Sequence, residues 1–265
     1  MDCLVIDDNP TDLMVIQARL RRAFPKAIIM NADDARQLKE SLKHDNCDVV
    51  VTDYWLGWTD GLSILQRVRE RWPRVRVIIL TGNGGEEVVA GAFKHGLYRY
   101  LLKPEGIDEI SAVVGAAYES KRREDSLELM AMIVESLPAA VHSVSPAGTI
   151  TAINAAARAL YGYSGDEIVG HTFAVLLPVE LRDKTRRLHA QALAGEIVPR
   201  FPTVHLRSDG AEIAGAMTIV PIRGPDGLVL SVACIANSVA DVDRTISESV
   251  TEPRTAPPRL SSVRQ

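Results

Sequence analysis

The amino-acid sequence predicts an α/β unit built on a five-stranded parallel sheet, joined by a helix to an α+β unit with an antiparallel sheet. Three observations carry this. Short apolar runs alternate with amphipathic helical patterns up to about residue 106, the arrangement of βαβ units. From Ile107 to Leu137 there is no proline and only Gly115, so a helix can run on. Beyond Pro138 the turns Pro146-Ala147-Gly148, Ser208-Asp209-Gly210 and Gly224-Pro225-Asp226-Gly227 are hairpin signals.

In order, Leu4 to Ile6 is a strand that ends in Asp7 and Asp8. Asn9 and Pro10 supply an N-cap and a first-turn proline for a helix with Leu13, Ile16, Leu20 and Phe24 on one face. Ala27 to Met30 is the second strand, Asp34 to His44 a helix, and Val49 to Val51 the third strand, which delivers Asp53. A turn around Gly57 to Gly61 leads to a helix, Leu62 to Trp72, stopped by Pro73. Val75 to Leu80 is the fourth strand, Glu86 to His95 a helix closed by Gly96, and Tyr98 to Leu102 the fifth strand. In a parallel sheet the ligand site lies beyond the carboxyl ends of the strands. Asp7, Asp8, Asp53, Thr81 and Lys103 all follow strand ends on that edge.

Three carboxylates on one edge repel one another, which implies a divalent cation with oxygen ligands. Magnesium fits, since it uses few carboxylates and accepts phosphate oxygens. Asp53 can attack phosphorus to give an acyl phosphate. Lys103 would offset charge on the phosphoryl oxygens, and Thr81 would turn its hydroxyl to one of them, with a backbone N–H near Gly82 as a second donor.

Ile6-Asp7-Asp8-Asn9, Thr52-Asp53-Tyr54-Trp55-Leu56 with Asp60-Gly61, Leu80-Thr81-Gly82 and Tyr100-Leu101-Leu102-Lys103-Pro104 resemble the receiver domain of two-component response regulators over residues 1–120. The resemblance implies a flavodoxin-like fold with strand order 2-1-3-4-5 and phosphorylation of Asp53 by a histidine kinase or phosphotransfer protein. It also implies magnesium held by Asp8, Asp53 and the backbone carbonyl of Trp55 with help from Asp7, a switch at Tyr100 and a cis bond before Pro104. Gly57 stands where the family usually has proline, a change expected to loosen the loop without touching a ligand. Trp55 and Trp58 crowd that loop and are read as local packing.

The connector spans residues 121–137. Leu127, Met130, Val134 and Leu137 keep three-four spacing, which suits a short coiled coil in a homodimer or a helix packed on the next domain. The same register puts Ser120 and Arg123 at seam positions within the charged run Glu119 to Asp125. The following unit, residues 138–240, has strands at Ala140 to Val144, Thr149 to Ile153, Thr203 to Arg207, Glu212 to Ile222 and Leu228 to Ile235. Its helices lie at Asn154 to Tyr161, Asp166 to Val169 and Glu180 to Leu193.

The stretch Ala152-Ile153-Asn154-Ala155-Ala156-Ala157, with Tyr161-Gly162-Tyr163-Ser164, Glu167-Ile168-Val169-Gly170 and Leu176-Leu177-Pro178, is similar to a PAS domain. Flavin-cysteine photochemistry is not expected, because Phe173 stands where the resemblance would require cysteine. Haem is not expected either: the matching position is Thr185, and His189, one turn on, is read as ordinary helix surface or core. A small apolar ligand in the core is the alternative to a packed one. His142, His171 and His205 are singletons without metal-ligand spacing. Arg182, Lys184, Arg186 and Arg187 read as a solvated helix face, and residues 241–265, with Pro253, Pro257 and Pro258, as a disordered tail.

Composition narrows the function. With 46% hydrophobic and 24% charged residues, net charge −4 and no long basic run, neither nucleic acid nor a membrane surface is indicated as partner. No apolar run approaches the roughly 18 residues of a membrane span, and the acidic N-terminus is wrong for a secretion signal, so the expected location is the cytoplasm. Cys3, Cys47 and Cys234 read as reduced core thiols, Cys3 and Cys47 near one another at strand starts. No His-Glu-x-x-Arg-Pro-like helix, Gly-rich nucleotide box, Gly-Gly-Asp-Glu-Phe or helix-turn-helix pattern is present. The expected protein is therefore not an enzyme. It accepts a phosphoryl group and passes the state through its PAS half to an unknown partner. The alternatives are a fragment or relative of a histidine kinase or cyclic-dinucleotide enzyme, or a PAS ligand sensor modulated by the receiver.

Overall fold

The three consecutive valines 49–51 place apolar side chains on both faces of their strand, so it must be covered on both. In the computed structural model, which describes residues 1–82 and 91–238, β3 (Val49–Thr52) accordingly lies at the centre of a parallel sheet and is buried throughout. The order is β2-β1-β3-β6-β7, with β1 Asp2–Ile6, β2 Ile28–Ala32, β6 Arg76–Thr81 and β7 Arg99–Leu102. Ile6 pairs with Thr52, Thr52 with Ile79, and Thr81 with Leu102, so the strand ends that precede Asp7, Asp53 and Lys103 share one edge.

Strand residues alternate between two cores. Leu4, Ile6, Val50, Val77 and Ile79 pack with Leu38 of α2 (Ala35–Ser41) and with Ile64, Leu65 and Val68 of α3 (Gly61–Arg71). Cys3, Val5, Val49, Val51, Ile78 and Leu80 pack with Leu13, Ile16 and Leu20 of α1 (Pro10–Ala23) and with Ile110, Val114 and Ala117. Cys3 and Cys47 pack into the cores on opposite faces of the sheet, yet stand near enough that Cys47 adds to the burial that raises the Cys3 thiol pKa. All three cysteines are buried free thiols, and burial raises the thiol pKa of each.

The turn expected at Gly57 to Gly61 is a two-stranded hairpin, β4 (Trp55–Leu56) with β5 (Thr59–Asp60). Gly61 is required there: a Cβ would come within 2.9 Å of the Tyr54 Cα and 3.1 Å of the Asp53 carbonyl oxygen. Asp60 caps α3 by accepting from the Ser63 N–H. Residues 91–94 are helical, as expected, while the earlier part of the helix predicted from Glu86 and the tail at 241–265 lie outside the described residues.

The proline-free stretch is one helix, Glu105–Ser136, and the chain's two compact units divide within it, between Leu129 and Met130. In the first unit its apolar face ends at Ala117, and charge takes over. Lys121 is buried and bonds Asp48 (3.1 Å) and Asp125 (2.7 Å); Arg76 pairs with Glu124 (2.6 Å), and Arg74 with Asp125 (3.0 Å) and Glu128. The charged run that interrupts the heptad register is thus tied back to the first unit by ion pairs. Leu127, Met130, Val134 and Leu137 are exposed.

The second unit is a five-stranded antiparallel sheet, order β10-β11-β12-β8-β9, with β8 Ala140–Val144, β9 Ile150–Ile153, β10 Val198–Leu206, β11 Glu212–Arg223 and β12 Val229–Ser238. Helices Ala155–Tyr161, Gly165–Ile168 and Val179–Leu193 accompany it. β10 begins at Val198, five residues before the expected Thr203. Pro199 and Pro202 fall within it, and β10 is an edge strand, where a missing N–H is tolerated.

Asn154 joins three segments of this unit. Its Nδ2 donates to the carbonyls of Val134 (3.0 Å) and Ala139 (2.9 Å), and its Oδ1 accepts from the N–H groups of Val141 and Ala157 (both 2.9 Å). The side chain's full capacity of two donors and two acceptor lone pairs is used. Arg158 adds an ion pair to Glu135. Asn154→Ala would remove an N-cap and strand buried backbone groups, so the second unit should lose about 2–4 kcal/mol, read by urea denaturation of the whole chain. A change below about 1 kcal/mol would show that the joint is dispensable.

Candidate functional site

The carboxyl edge of the parallel sheet gathers charge around one ammonium. Lys103 Nζ lies 2.8 Å from Asp7 Oδ2, 2.7 Å from Asp12 Oδ2 and 2.7 Å from Asp53 Oδ2. Burial alone would lower the lysine pKa, but the bonds it donates to Asp12, Asp53 and Asp7 outweigh it and the net shift is upward. Asp7 is 1% exposed, and burial raises its carboxyl pKa even against the bonds from Lys103 and the Asn9 N–H. Asp53 is fixed by its own backbone, whose N–H donates to the Ile6 carbonyl, and its Oδ1 accepts from the Trp55 N–H at 3.1 Å.

Asp8 is exposed, and its Oδ2 accepts from the Gly57 N–H at 2.5 Å. Gly57 thus touches a candidate ligand directly, contrary to the expectation from sequence. A proline there would have no N–H to give. Trp55 opens β4 with its ring exposed on one side and edge-on to the Tyr54 ring at 4.9 Å between centroids, and Trp58 donates its indole N–H to the Asp33 carbonyl, so both make local contacts. Thr81 is fully buried at the end of β6, and its carbonyl accepts the Lys103 N–H at 2.8 Å. Tyr100, half-buried on β7, has its phenol pKa raised by burial, then by Tyr54 and Asp53. The Lys103-Pro104 bond is cis.

Asp12 escaped the sequence reading. Its signal was its place three residues after the N-cap Asn9, in the first turn of a helix that begins beside the carboxyl edge.

Asp7, Asp8 and Asp53 with the Trp55 carbonyl are hard oxygen donors suited to magnesium. Among the described residues no group of three or more His, Cys, Asp or Glu stands ready as a metal cage; Asp7 and Asp53 each turn an oxygen to Lys103, and Asp8 turns one to Gly57. The donor set nevertheless fits a cation, since a buried carboxylate held above its ordinary pKa range is what added positive charge relieves.

Residues 3–115 match the response regulator receiver domain family, and residues 134–244 match the PAS fold. The chain is a response regulator receiver domain followed by a PAS fold. It is 30% identical over 139 residues to an NtrX-like response regulator of Rickettsia conorii, covering 51% of this chain and 29% of that protein. It is 31% identical over 119 residues to the hydrogenase transcriptional regulatory protein HoxA of Cupriavidus necator, covering 44% and 24%. The matched segment thus spans less than a third of these relatives. Among solved structures, a receiver domain protein from Clostridium thermocellum is 31% identical, with TM-score 0.42, and covers 46% of this chain and 96% of its own. The two family matches and the response-regulator relatives put the receiver–PAS chain in two-component signalling, a setting in which receiver domains generally use Mg2+.

In the PAS fold, alternation along β8 and β10 brings together two histidines that looked like singletons. His142 and His205 stand edge-on to the buried Tyr161 ring, at 5.6 and 5.5 Å between centroids. His189 is core, stacked on Phe173 at 5.3 Å, and lines a cavity of about 10 Å³ with Thr185, His142 and Cys234. That volume suits a water. His171 is exposed, and the basic helix residues make local contacts such as Arg186 with Asp183.

Burial pushes His142 down to about 3 and His205 to about 4. Both imidazoles are neutral when folded, whereas the unfolded chain binds protons below about pH 6.5. Stability is therefore full above that value and falls with acid, by about 2 kcal/mol for each histidine between about pH 7 and pH 5. Thermal melts across that range should show the second unit's transition dropping, and His142→Leu with His205→Leu should flatten the slope. A wild-type midpoint that ignores pH would refute the assignment.

Proposed function

We propose that this protein is a phosphorelay component in which Asp53 accepts a phosphoryl group from a histidine kinase or phosphotransfer protein, and the PAS half passes the state on by protein contact or homodimerisation. The reading rests above all on the shared ammonium, Lys103 Nζ, at 2.7 Å from the Asp53 carboxylate on the carboxyl edge of the sheet.

In the reaction an Asp53 carboxylate oxygen attacks phosphorus. The P–N bond of the donor phosphohistidine breaks, its electron pair stays on the imidazole, which takes up a proton, and an acyl phosphate forms on Asp53. Lys103 moves toward a phosphoryl oxygen as Asp53 loses its charge. Thr81 offers its hydroxyl to another, and Tyr100 responds as the switch. Asp8, Asp53 and the Trp55 carbonyl, with Asp7, would hold Mg2+, which when bound neutralises charge on the phosphoryl oxygens. The chain's own chemistry is limited to gaining and losing this group, so we read it as a signalling protein of the cytoplasm rather than an enzyme. Among the described residues no helix is long and apolar enough to cross a membrane.

Protein rather than nucleic acid is the proposed output partner, supported by the net charge of −4. The NtrC relative of Escherichia coli, named as a DNA-binding transcriptional regulator and 27% identical over 128 residues, supplies the contrasting outcome for a mobility-shift assay.

Acetyl phosphate with Mg2+ should add one base-labile phosphoryl group to the wild type and none to Asp53→Ala, while chelation of Mg2+ should prevent labelling. Undiminished labelling of Asp53→Ala would sink the reading. Lys103→Ala should slow labelling about 100-fold, the loss typical of one preorganised charge partner. Phosphorylation should also shift the monomer–dimer equilibrium or partner binding; size-exclusion chromatography and a pull-down unchanged by labelling would refute the link to the PAS half.

A further inference from the structure

Asp12 has no role in the reading above, and its geometry asks for one. An acid at the third position of a helix ordinarily bonds back to the N-cap N–H or simply faces the helix dipole. Here the Asn9 N–H is already taken by Asp7 Oδ1 at 2.9 Å, and the Asp12 carboxylate reaches to Lys103 Nζ at 2.7 Å. An ammonium has three N–H groups, and Asp7, Asp12 and Asp53 take one each. The lysine side chain is 12% exposed and that of Asp12 25%, so water competes weakly for the bond.

We propose that Asp12 is a positioning residue for the phosphoryl-transfer site, holding the Lys103 ammonium at the strand ends while its third bond passes from Asp53 to the incoming phosphoryl group. This rests on Asp53 being the acceptor. Once Asp53 carries the phosphoryl group its carboxylate charge is gone, and Lys103 must exchange one partner. Asp7 is buried and also held by the Asn9 N–H, but a single bond leaves an ammonium on four methylenes free to swing about it. A second fixed carboxylate on the opposite element, α1, restricts that swing. Asp12 touches neither phosphorus nor the acceptor and acts through the lysine.

The test combines labelling by acetyl phosphate and Mg2+ with the ¹⁵N ammonium resonance of Lys103, which requires no phosphorylation. Asp12→Ala and Asp12→Asn should lower the initial labelling rate about tenfold, less than loss of the lysine itself, because two of its bonds remain. Asp12→Glu, which keeps the charge and can still reach, should restore most of the rate. The Lys103 resonance, protected from solvent exchange in the wild type, should broaden in the alanine and asparagine variants and return in the glutamate variant. Full-rate labelling of Asp12→Ala, or an unchanged lysine resonance in it, would leave Asp12 a helix-terminal acid and overturn the proposal. Equal loss in all three variants, with a matching fall in melting temperature, would overturn it too by assigning a structural role. Labelling that persists in Asp53→Ala would instead condemn the acceptor assignment, and the resonance would still report whether Asp12 positions the lysine.

Discussion

One ammonium shared by carboxylates from β1, α1 and β3 is the constraint on which the first unit's edge depends. Asp7 is almost wholly buried, Asp53 and Asp12 are mostly so, and none could be held together as anions without a counter-charge. The sheet makes the arrangement unavoidable. Parallel register sets Ile6 level with Thr52, and Thr81 level with Leu102, so each following residue emerges on the same side. Lys103 then replaces solvent for all three acids. The site still carries more negative than positive charge, which favours a cation before any phosphoryl group arrives.

The helix Glu105–Ser136 solves a different problem with three kinds of contact. Apolar residues up to Ala117 cover one face of the sheet, ion pairs from Lys121 to Glu128 fasten it beyond the sheet, and within the second unit Asn154 bonds the carbonyl of Val134. No single periodicity could describe it. Exposed ion pairs contribute little individually, so the buried Lys121, bonded to Asp48 and Asp125, is the member of that series that fixes the helix most firmly.

Much of this was legible in the chain because it follows from period and punctuation. Apolar runs ending in acids, Asn9-Pro10, Pro73 and the Gly-containing hairpins mark elements whose order is the observed one. The gathering of Asp7, Asp53 and Lys103 on one edge was legible for the same reason: a strand end names its next residue. Features that depend on three-dimensional neighbours were not. Asp12 is an unremarked first-turn acid until Lys103 folds over it, Gly57 is a loop residue until its N–H meets Asp8, and His142 and His205 are 63 positions apart until Tyr161 comes between them. The charged run at 119–125 looked like a defect in a coiled-coil seam because its partners, Asp48, Arg74 and Arg76, lie 48 to 73 residues earlier.

The route from the site to the helix is short. Gly106 stands three residues after Lys103, and a Cβ on it would come within 2.7 Å of the Leu80 side chain and 2.8 Å of that of Leu101. The helix thus starts pressed against the ends of β6 and β7, the strands that carry Thr81 and Tyr100. The Thr81 carbonyl also holds the Lys103 N–H, so threonine, lysine and helix start form one hydrogen-bonded and packed cluster. A close-packed cluster of this kind does not deform gradually; it changes by repacking between discrete arrangements. On the proposed reading, the transfer of a lysine bond from Asp53 to a phosphoryl oxygen is the local event, and the start of the helix is the first element with no free space in which to absorb it.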